Sequence, residues 1–145
     1  MKVAGFLFIR NAIKYNYPVE ASIRSLLPIC DEVIVSIGNS EDDTVGLIQS
    51  INSPKIKIYH TVWDDSLLQG GRVLAVETDK AFDKVPADAD WCIYLQGDEV
   101  LHEDDYATIL RSMDQYKDDA RVEGLLFKYR HFYGSYDYLG DSRRW

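Results

Sequence analysis

Residues 32–51 have the sequence EVIVSIGNSEDDTVGLIQSI. The first part of this stretch is rich in β-branched residues, which favours a buried strand ending near Gly38. After a turn at 38–40, the residues at 44, 47, 48 and 51 recur at the spacing of one helix face. A strand that leads through a short turn into a helix is typical of an α/β fold.

The rest of the chain repeats this alternation. Further strands are predicted at 3–9, 56–62, 91–95 and 125–132. Further helices are predicted between Pro18 and Pro28, from Gly70-Gly71 to about 84, and around 106–113. The sequence therefore predicts one α/β domain over residues 1–145, with a mostly parallel central sheet flanked by helices.

Composition limits the class of function. The chain has 145 residues, 46% of them hydrophobic, and its 16 basic and 24 acidic side chains give a net charge of -8, which disfavours nucleic-acid binding. The longest apolar run, 3–9, is far shorter than the roughly 20 residues of a transmembrane helix. Cys30 and Cys92 cannot form a disulfide framework, so we expect a cytoplasmic setting.

Polar residues and glycines follow the predicted strands. Ligands of parallel α/β sheets bind in the crevice beyond the carboxyl ends of the strands, where loops and helix N-termini meet. The candidates for a binding site at these ends are Arg10, Asn11, Gly38, Asn39, Asp65, Gln96 and Asp98.

Two residues point to phosphate chemistry. The carboxylate of Asp98, after a glycine and a buried strand, suits a hard divalent cation that also binds substrate phosphates. Arg72 follows two glycines at the start of a predicted helix, where a guanidinium and backbone donors can bind one diphosphate. The structural alternatives are that Asp98 is a turn residue and that Arg72 is simply solvated.

Other site types find less support. The chain has no Gly-x-Gly-x-x-Gly sequence, no P-loop and no Gly-x-Ser-x-Gly elbow. A receiver-like phosphate site needs acidic residues after the first strand, where Arg10 and Asn11 stand. The aromatic stretch 129–136, which contains His131, fits either core packing or stacking against a sugar.

Taken in order, four segments resemble the nucleotide-sugar-binding part of family 2 glycosyltransferases, which have the GT-A fold. They are Arg10-Asn11, 30–44, Gly70-Gly71-Arg72 and 94–99, and together they extend over nearly the whole chain. The resemblance implies a nucleoside-diphosphate sugar as donor, Mg²⁺ or Mn²⁺ as cofactor, and inverting transfer of the sugar to an unknown saccharide, lipid or protein.

The same resemblance assigns roles to residues. Asp98 stands at the metal-binding position of the Asp-x-Asp motif, Gln96 replaces the first carboxylate of that motif, and Arg72 is similar to an arginine near the diphosphate. The stretch 37–40 lacks the aspartate that contacts the base in the family, so base recognition is expected from Ser36, Asn39 or Asp65.

Family 2 enzymes are longer, and their catalytic base lies beyond the segment that matches this chain. We therefore expect an N-terminal fragment or an abbreviated relative, and no catalytic base is nominated. The alternative hypothesis is a non-catalytic module that binds a nucleotide sugar without turnover, which Gln96 in place of a carboxylate favours.

Overall fold

A computed structural model describes residues 1–67 and 69–140, so the last part of the predicted domain, 141–145, lies outside the described residues. The strands are β1 (Val3–Ile9), β2 (Glu32–Gly38), β3 (Ile56–Thr61), β4 (Trp91–Tyr94), β5 (Phe132–Tyr133) and β6 (Ser135–Leu139). The α-helices are α1 (Val19–Leu26), α2 (Thr44–Gln49), α3 (Arg72–Phe82) and α4 (Tyr106–Tyr116). Short 3-10 helices lie at Asp65–Leu67, Gln69–Gly71 and Glu103–Asp105.

The central sheet has the strand order β3-β2-β1-β4, and every neighbouring pair is parallel. Phe6 at the middle of β1 lies opposite Ile34 of β2 and Tyr94 of β4. The two interior strands, β1 and β2, are buried along nearly their whole length, which explains their continuous apolar sequences. This sheet confirms the predicted α/β class.

Helices cover both faces of the sheet. On one face, α1, α2 and α4 pack their apolar side chains against alternate residues of the strands, with Ile23, Ile48 and Ile109 in one cluster with Leu7. On the other face, Ala81 of α3 packs against Phe6 and Ile34. This arrangement leaves the carboxyl ends of the strands at one edge, between helices of both layers.

The predicted strand at 125–132 is wrong for most of its length. Only Phe132–Tyr133 is a strand, and it pairs in antiparallel fashion with β6 in a separate two-stranded sheet. Gly134 between them has a φ of 75°, a conformation that favours glycine and lets the chain reverse. Residues 125–131 are rich in large apolar and aromatic side chains but pair with no strand among the described residues, and Leu126 is fully exposed.

The described helices are short. The longest of them, α3 and α4, have 11 residues each, against the roughly 20 that a membrane span requires. Within residues 1–67 and 69–140, no helix has the length and apolar character needed to cross a bilayer.

Candidate functional site at the carboxyl edge of the sheet

The predicted site residues gather at the edge where the parallel strands end. Each follows a strand directly or opens the next helix. Arg10 and Asn11 follow β1, Gly38 ends β2 and precedes Asn39, Asp65 opens the 3-10 helix after β3, Arg72 is the first residue of α3, and Gln96 and Asp98 follow β4.

Arg10 joins the ends of three strands. Its Nε donates to the backbone oxygen of Asn39 at 2.9 Å, and its Nη1 donates to Oδ1 of Asp65 at 2.7 Å. The guanidinium carbon lies 5.6 Å from the ring centroid of Trp63, within cation–π range. We call Arg10, Asn39, Trp63 and Asp65 the Arg10 cluster.

Trp63 is the functional candidate that sequence reasoning missed. Its indole packs on Gly38, where an added Cβ would lie 2.3 Å from the indole Nε1, and it meets Phe8 edge to face at 5.7 Å. Its backbone N–H donates to Oδ1 of Asn39 at 3.1 Å. The sequence signal for this contact was Gly38 at the end of β2, because a glycine leaves room for a large neighbouring side chain.

Two polar atoms on this side of the sheet are buried without a partner. The indole Nε1 of Trp63 and the Oγ of Ser36 find no hydrogen-bond partner among the described residues. Ser36 is 1% exposed and precedes Gly38 by two positions on β2, so both residues face the same side of the sheet. Unpaired buried donors are costly, and a ligand in the crevice is one way to satisfy them.

Asn11 has a structural role in the loop after β1. Its φ of 54° lies in the left-handed region, which asparagine tolerates better than most residues. Its backbone N–H donates to Oγ of Ser40 at 3.0 Å, and its buried Oδ1 accepts from the N–H of Glu41 at 2.7 Å. The amide oxygen of Asn11 thus holds the loops after β1 and β2 together.

Asp42 also connects the loops after β1 and β2. Its carboxylate accepts from the N–H of Lys14 at 2.7 Å and from the N–H of Thr44 at 3.1 Å, while the Thr44 hydroxyl also donates to it and accepts from the N–H of Ala12. Burial raises the pKa of the Asp42 carboxyl, but hydrogen bonds from Thr44 and Lys14 outweigh it and hold the pKa below its usual value.

This lowered pKa predicts a pH-dependent contribution to stability. The folded protein favours the charged form of the Asp42 carboxyl. The contribution of this carboxylate to the free energy of unfolding is therefore complete above the usual aspartate pKa of about 3.9, and it is lost as the pH falls through the lower pKa of the folded state. We expect Asp42→Asn to destabilise the chain at pH 7 and to destabilise it progressively less as the pH falls from 7 to below the usual aspartate value. Urea unfolding of both proteins across this range checks it, and a difference that does not change with pH contradicts it.

The start of α3 lies at the same edge. Gly70 and Gly71 have φ values of 66° and 71°, which turn the chain into the helix, and Arg72 is exposed in its first turn. The helix is fixed by Glu77, which is fully buried and accepts from the Thr61 hydroxyl at 2.8 Å and from Lys80 at 2.6 Å. This anchor ties α3 to the end of β3.

The loop after β4 presents one free carboxylate. Oε2 of Glu99 accepts from the N–H of Gln96 at 3.0 Å, so Glu99 is turned onto the backbone of its own loop. Gly97 is buried, and a Cβ there would lie 2.8 Å from Cδ1 of Ile9. Asp98 is exposed and makes no hydrogen bond or ion pair with the part of the chain that the structure describes.

The structure thus brings some predicted residues into contact and leaves others separate. Arg10, Asn39 and Asp65 are directly connected, and Gly38 lies under Trp63. Arg72, Gln96 and Asp98 share the edge but have no hydrogen bond to the Arg10 cluster among the described residues. The described part of the chain contains no group of three or more His, Cys, Asp or Glu side chains that could hold a metal ion by themselves.

Solved structures have the same arrangement of strands and helices. S. aureus TarS 1–349 superposes with a TM-score of 0.54 at 16% sequence identity, over 90% of this chain and 40% of that one. The chain shares the fold of the matched part of TarS. The complex of TarS 1–349 with UDP gives a TM-score of 0.59 at 19% identity, over 80% of this chain and 33% of the TarS chain.

A further TarS crystal structure gives a TM-score of 0.55 at 16% identity, over 90% of this chain and 24% of that one. This chain therefore spans well under half the length of the TarS structures. No protein-family model and no curated protein sequence matches it. At these identities the likeness to TarS extends to the fold alone.

Proposed function

We propose that this chain is the donor-binding part of an inverting glycosyltransferase of the family 2 type, with the GT-A fold. The donor is a nucleoside-diphosphate sugar, and the acceptor is a saccharide, a lipid or a protein. TarS, which shares the fold, is a glycosyltransferase, and one of its structures contains UDP.

The observation that carries this proposal is the Arg10 cluster at the carboxyl ends of three parallel strands, beside the N-terminus of α3. The nucleoside binds in this crevice, next to Asn39 and the indole of Trp63. Backbone donors at the N-terminus of α3 and the exposed guanidinium of Arg72 bind the diphosphate. Both groups favour negative charge, so they complement a diphosphate in an otherwise acidic chain.

The cation of this proposal is Mg²⁺ or Mn²⁺, held by Asp98. A single carboxylate with no ionic partner among the described residues fits a cation that completes its shell with diphosphate oxygens and water. When bound, such a cation offsets the negative charge that develops on the leaving diphosphate. Gln96 supplies an amide that hydrogen-bonds a ribose hydroxyl but adds no charge.

The thiols support a cytoplasmic location for this activity. Cys30 and Cys92 are both free, one of them buried and the other exposed. A reducing compartment keeps such thiols in this state.

A second candidate function is nucleotide-sugar binding without transfer, and Gln96 favours it because an amide replaces a carboxylate of the metal motif. Incubation of the chain with a panel of nucleoside-diphosphate sugars separates the two candidates. Release of nucleoside diphosphate by hydrolysis or transfer supports the enzyme and contradicts the binding-only module.

Calorimetric titration with UDP, in the presence and absence of Mn²⁺, tests the proposal. We expect UDP to bind, and Mn²⁺ to tighten binding by about tenfold or more, since a shared cation links the Asp98 carboxylate to the diphosphate. If the chain binds neither UDP nor, in parallel titrations, ADP, GDP or CDP in either condition, the proposed function is contradicted. Equal affinity in both conditions contradicts the metal site.

A further inference from the structure

Two serines interrupt the apolar face of α1. Ser22 is fully buried and Ser25 is 5% exposed, between Val19, Ile23 and Leu26, which are all buried in the core. Serine is a weaker helix former than alanine, and a buried hydroxyl is costly unless it is hydrogen-bonded. Both serine hydroxyls therefore need hydrogen-bond partners, whereas an alanine at either position would need none.

The partners of both hydroxyls lie in the loop after β4. Oγ of Ser22 donates to the backbone oxygen of Gln96 at 3.0 Å, and Oγ of Ser25 accepts from the N–H of Leu101 at 3.1 Å. Oγ of Ser25 also donates to the backbone oxygen of Ser22 at 2.7 Å, which fixes its orientation. The two serines hold both ends of the segment 96–101, which we call the Asp98 loop.

Among the described residues, the other hydrogen bonds of the Asp98 loop are internal. Gln96 and Glu99 exchange two of them, from the Gln96 N–H to the Glu99 carboxylate and from the Glu99 N–H to the Gln96 oxygen, each at 3.0 Å. These bonds give the loop its shape but do not attach it to the rest of the protein. The attachment comes from the packing of Gly97 on Ile9, from the packing of Leu101 against the core, and from the two serine hydroxyls.

We propose that Ser22 and Ser25 are positioning residues that hold the Asp98 loop in place for cation-assisted binding of the donor diphosphate. The inference rests on the proposed function, because a fixed position of the Asp98 loop matters only if Asp98 binds the cation of the donor diphosphate. Asp98 has no partner of its own among the described residues, so the backbone on either side determines where its carboxylate lies. Loss of the hydroxyls leaves the carboxylate present but less well placed.

The test compares the double variant Ser22→Ala/Ser25→Ala with the wild-type chain. The matched control is Ser50→Ala. Ser50 is the C-cap of α2, and its Oγ donates to the Leu47 oxygen at 2.6 Å, the same bond to the residue three positions earlier that Ser25 makes to Ser22, with no hydrogen bond to the Asp98 loop among the described residues. Two quantities are measured: amide hydrogen exchange of the loop, and UDP affinity with and without Mn²⁺.

In the double variant we expect the Leu101 amide to exchange about tenfold faster, since it loses its acceptor. The affinity for Mn²⁺ in the presence of UDP falls by about tenfold, the usual effect of removing a group that orients a metal ligand, so the Mn²⁺-dependent gain in UDP affinity is reduced. Affinity for UDP without metal changes by less than about twofold, a split that general destabilisation does not produce. Ser22→Thr keeps the hydroxyl and retains the gain, and Ser50→Ala matches the wild type.

Two failures are distinguishable. If Mn²⁺ has no effect on UDP binding by the wild-type chain, the proposed metal site is wrong. If the wild-type chain shows the effect and the double variant retains all of it, the positioning role alone is wrong. Should the double variant fail to fold, the same comparison is made with Ser25→Ala alone, for which faster Leu101 exchange and a reduced gain are expected and wild-type values overturn the inference.

Discussion

Alanine at position 38 is expected to displace the Trp63 indole and to lower the free energy of unfolding by about 1–3 kcal/mol. The added Cβ would lie 2.3 Å from Nε1 and 2.6 Å from Cδ1 of the indole, which is too close for either atom to remain. As the ring moves, it loses its contacts with Phe8 and Arg10. The Arg10 cluster then loses its aromatic wall, so we also expect UDP to bind about tenfold more weakly.

Gly124→Ala is the matched control, because an added Cβ there meets nothing within 4 Å and the backbone lies outside the left-handed region. Urea unfolding gives the stability difference, and the indole N–H resonance of Trp63 reports the displacement directly. If Gly38→Ala matches Gly124→Ala in stability and in UDP affinity, Trp63 does not form a wall of the site.

Replacing Asp98 by asparagine is expected to abolish the effect of Mn²⁺ on UDP binding, a loss of about tenfold or more in affinity when the metal is present. Asparagine keeps the size and one oxygen of the side chain but removes the negative charge that a hard cation requires. Without metal, the variant binds UDP as the wild-type chain does, because Asp98 then contacts no ligand group. Calorimetric titrations of both proteins with and without Mn²⁺ measure the difference.

Asp105→Asn serves as the control for the change in net charge. Asp105 is exposed at the N-cap of α4, where its side chain makes no capping hydrogen bond. We expect it to leave the effect of Mn²⁺ unchanged. Equal losses in the two variants would mean that Asp98 acts only through the overall charge of the chain.

The sequence was informative where structure depends on local pattern. The continuous apolar run 3–9 predicted β1, because a strand buried on both faces needs no polar alternation. Residues 125–131 have the large apolar and aromatic side chains of a strand, yet they form none, since a strand also requires a neighbour and the sequence does not specify one. The hairpin at Gly134 depends on one positive φ value.

For the site, too, the sequence predicted some features and not others. The rule that ligands bind at strand carboxyl ends placed Arg10, Asn39 and Asp65 at one edge, where the structure connects them. The sequence did not indicate that Trp63 would cover Gly38, because that contact depends on the path of the loop after β3. Ser22 gave a detectable signal, since a hydroxyl at a position of the apolar stripe of α1 implies a buried hydrogen bond.

The central claim is that a nucleoside diphosphate binds at the carboxyl edge of the sheet, and mapping UDP with the diamagnetic ion Mg²⁺ onto the backbone amide resonances of the chain tests it most directly. We predict that the largest shifts fall on Arg10, Asn39, Trp63 and Arg72, while residues at the opposite edge, such as Lys2 and Asp31, do not change. Shifts concentrated at that opposite edge, or no shifts at saturating UDP, would contradict the account.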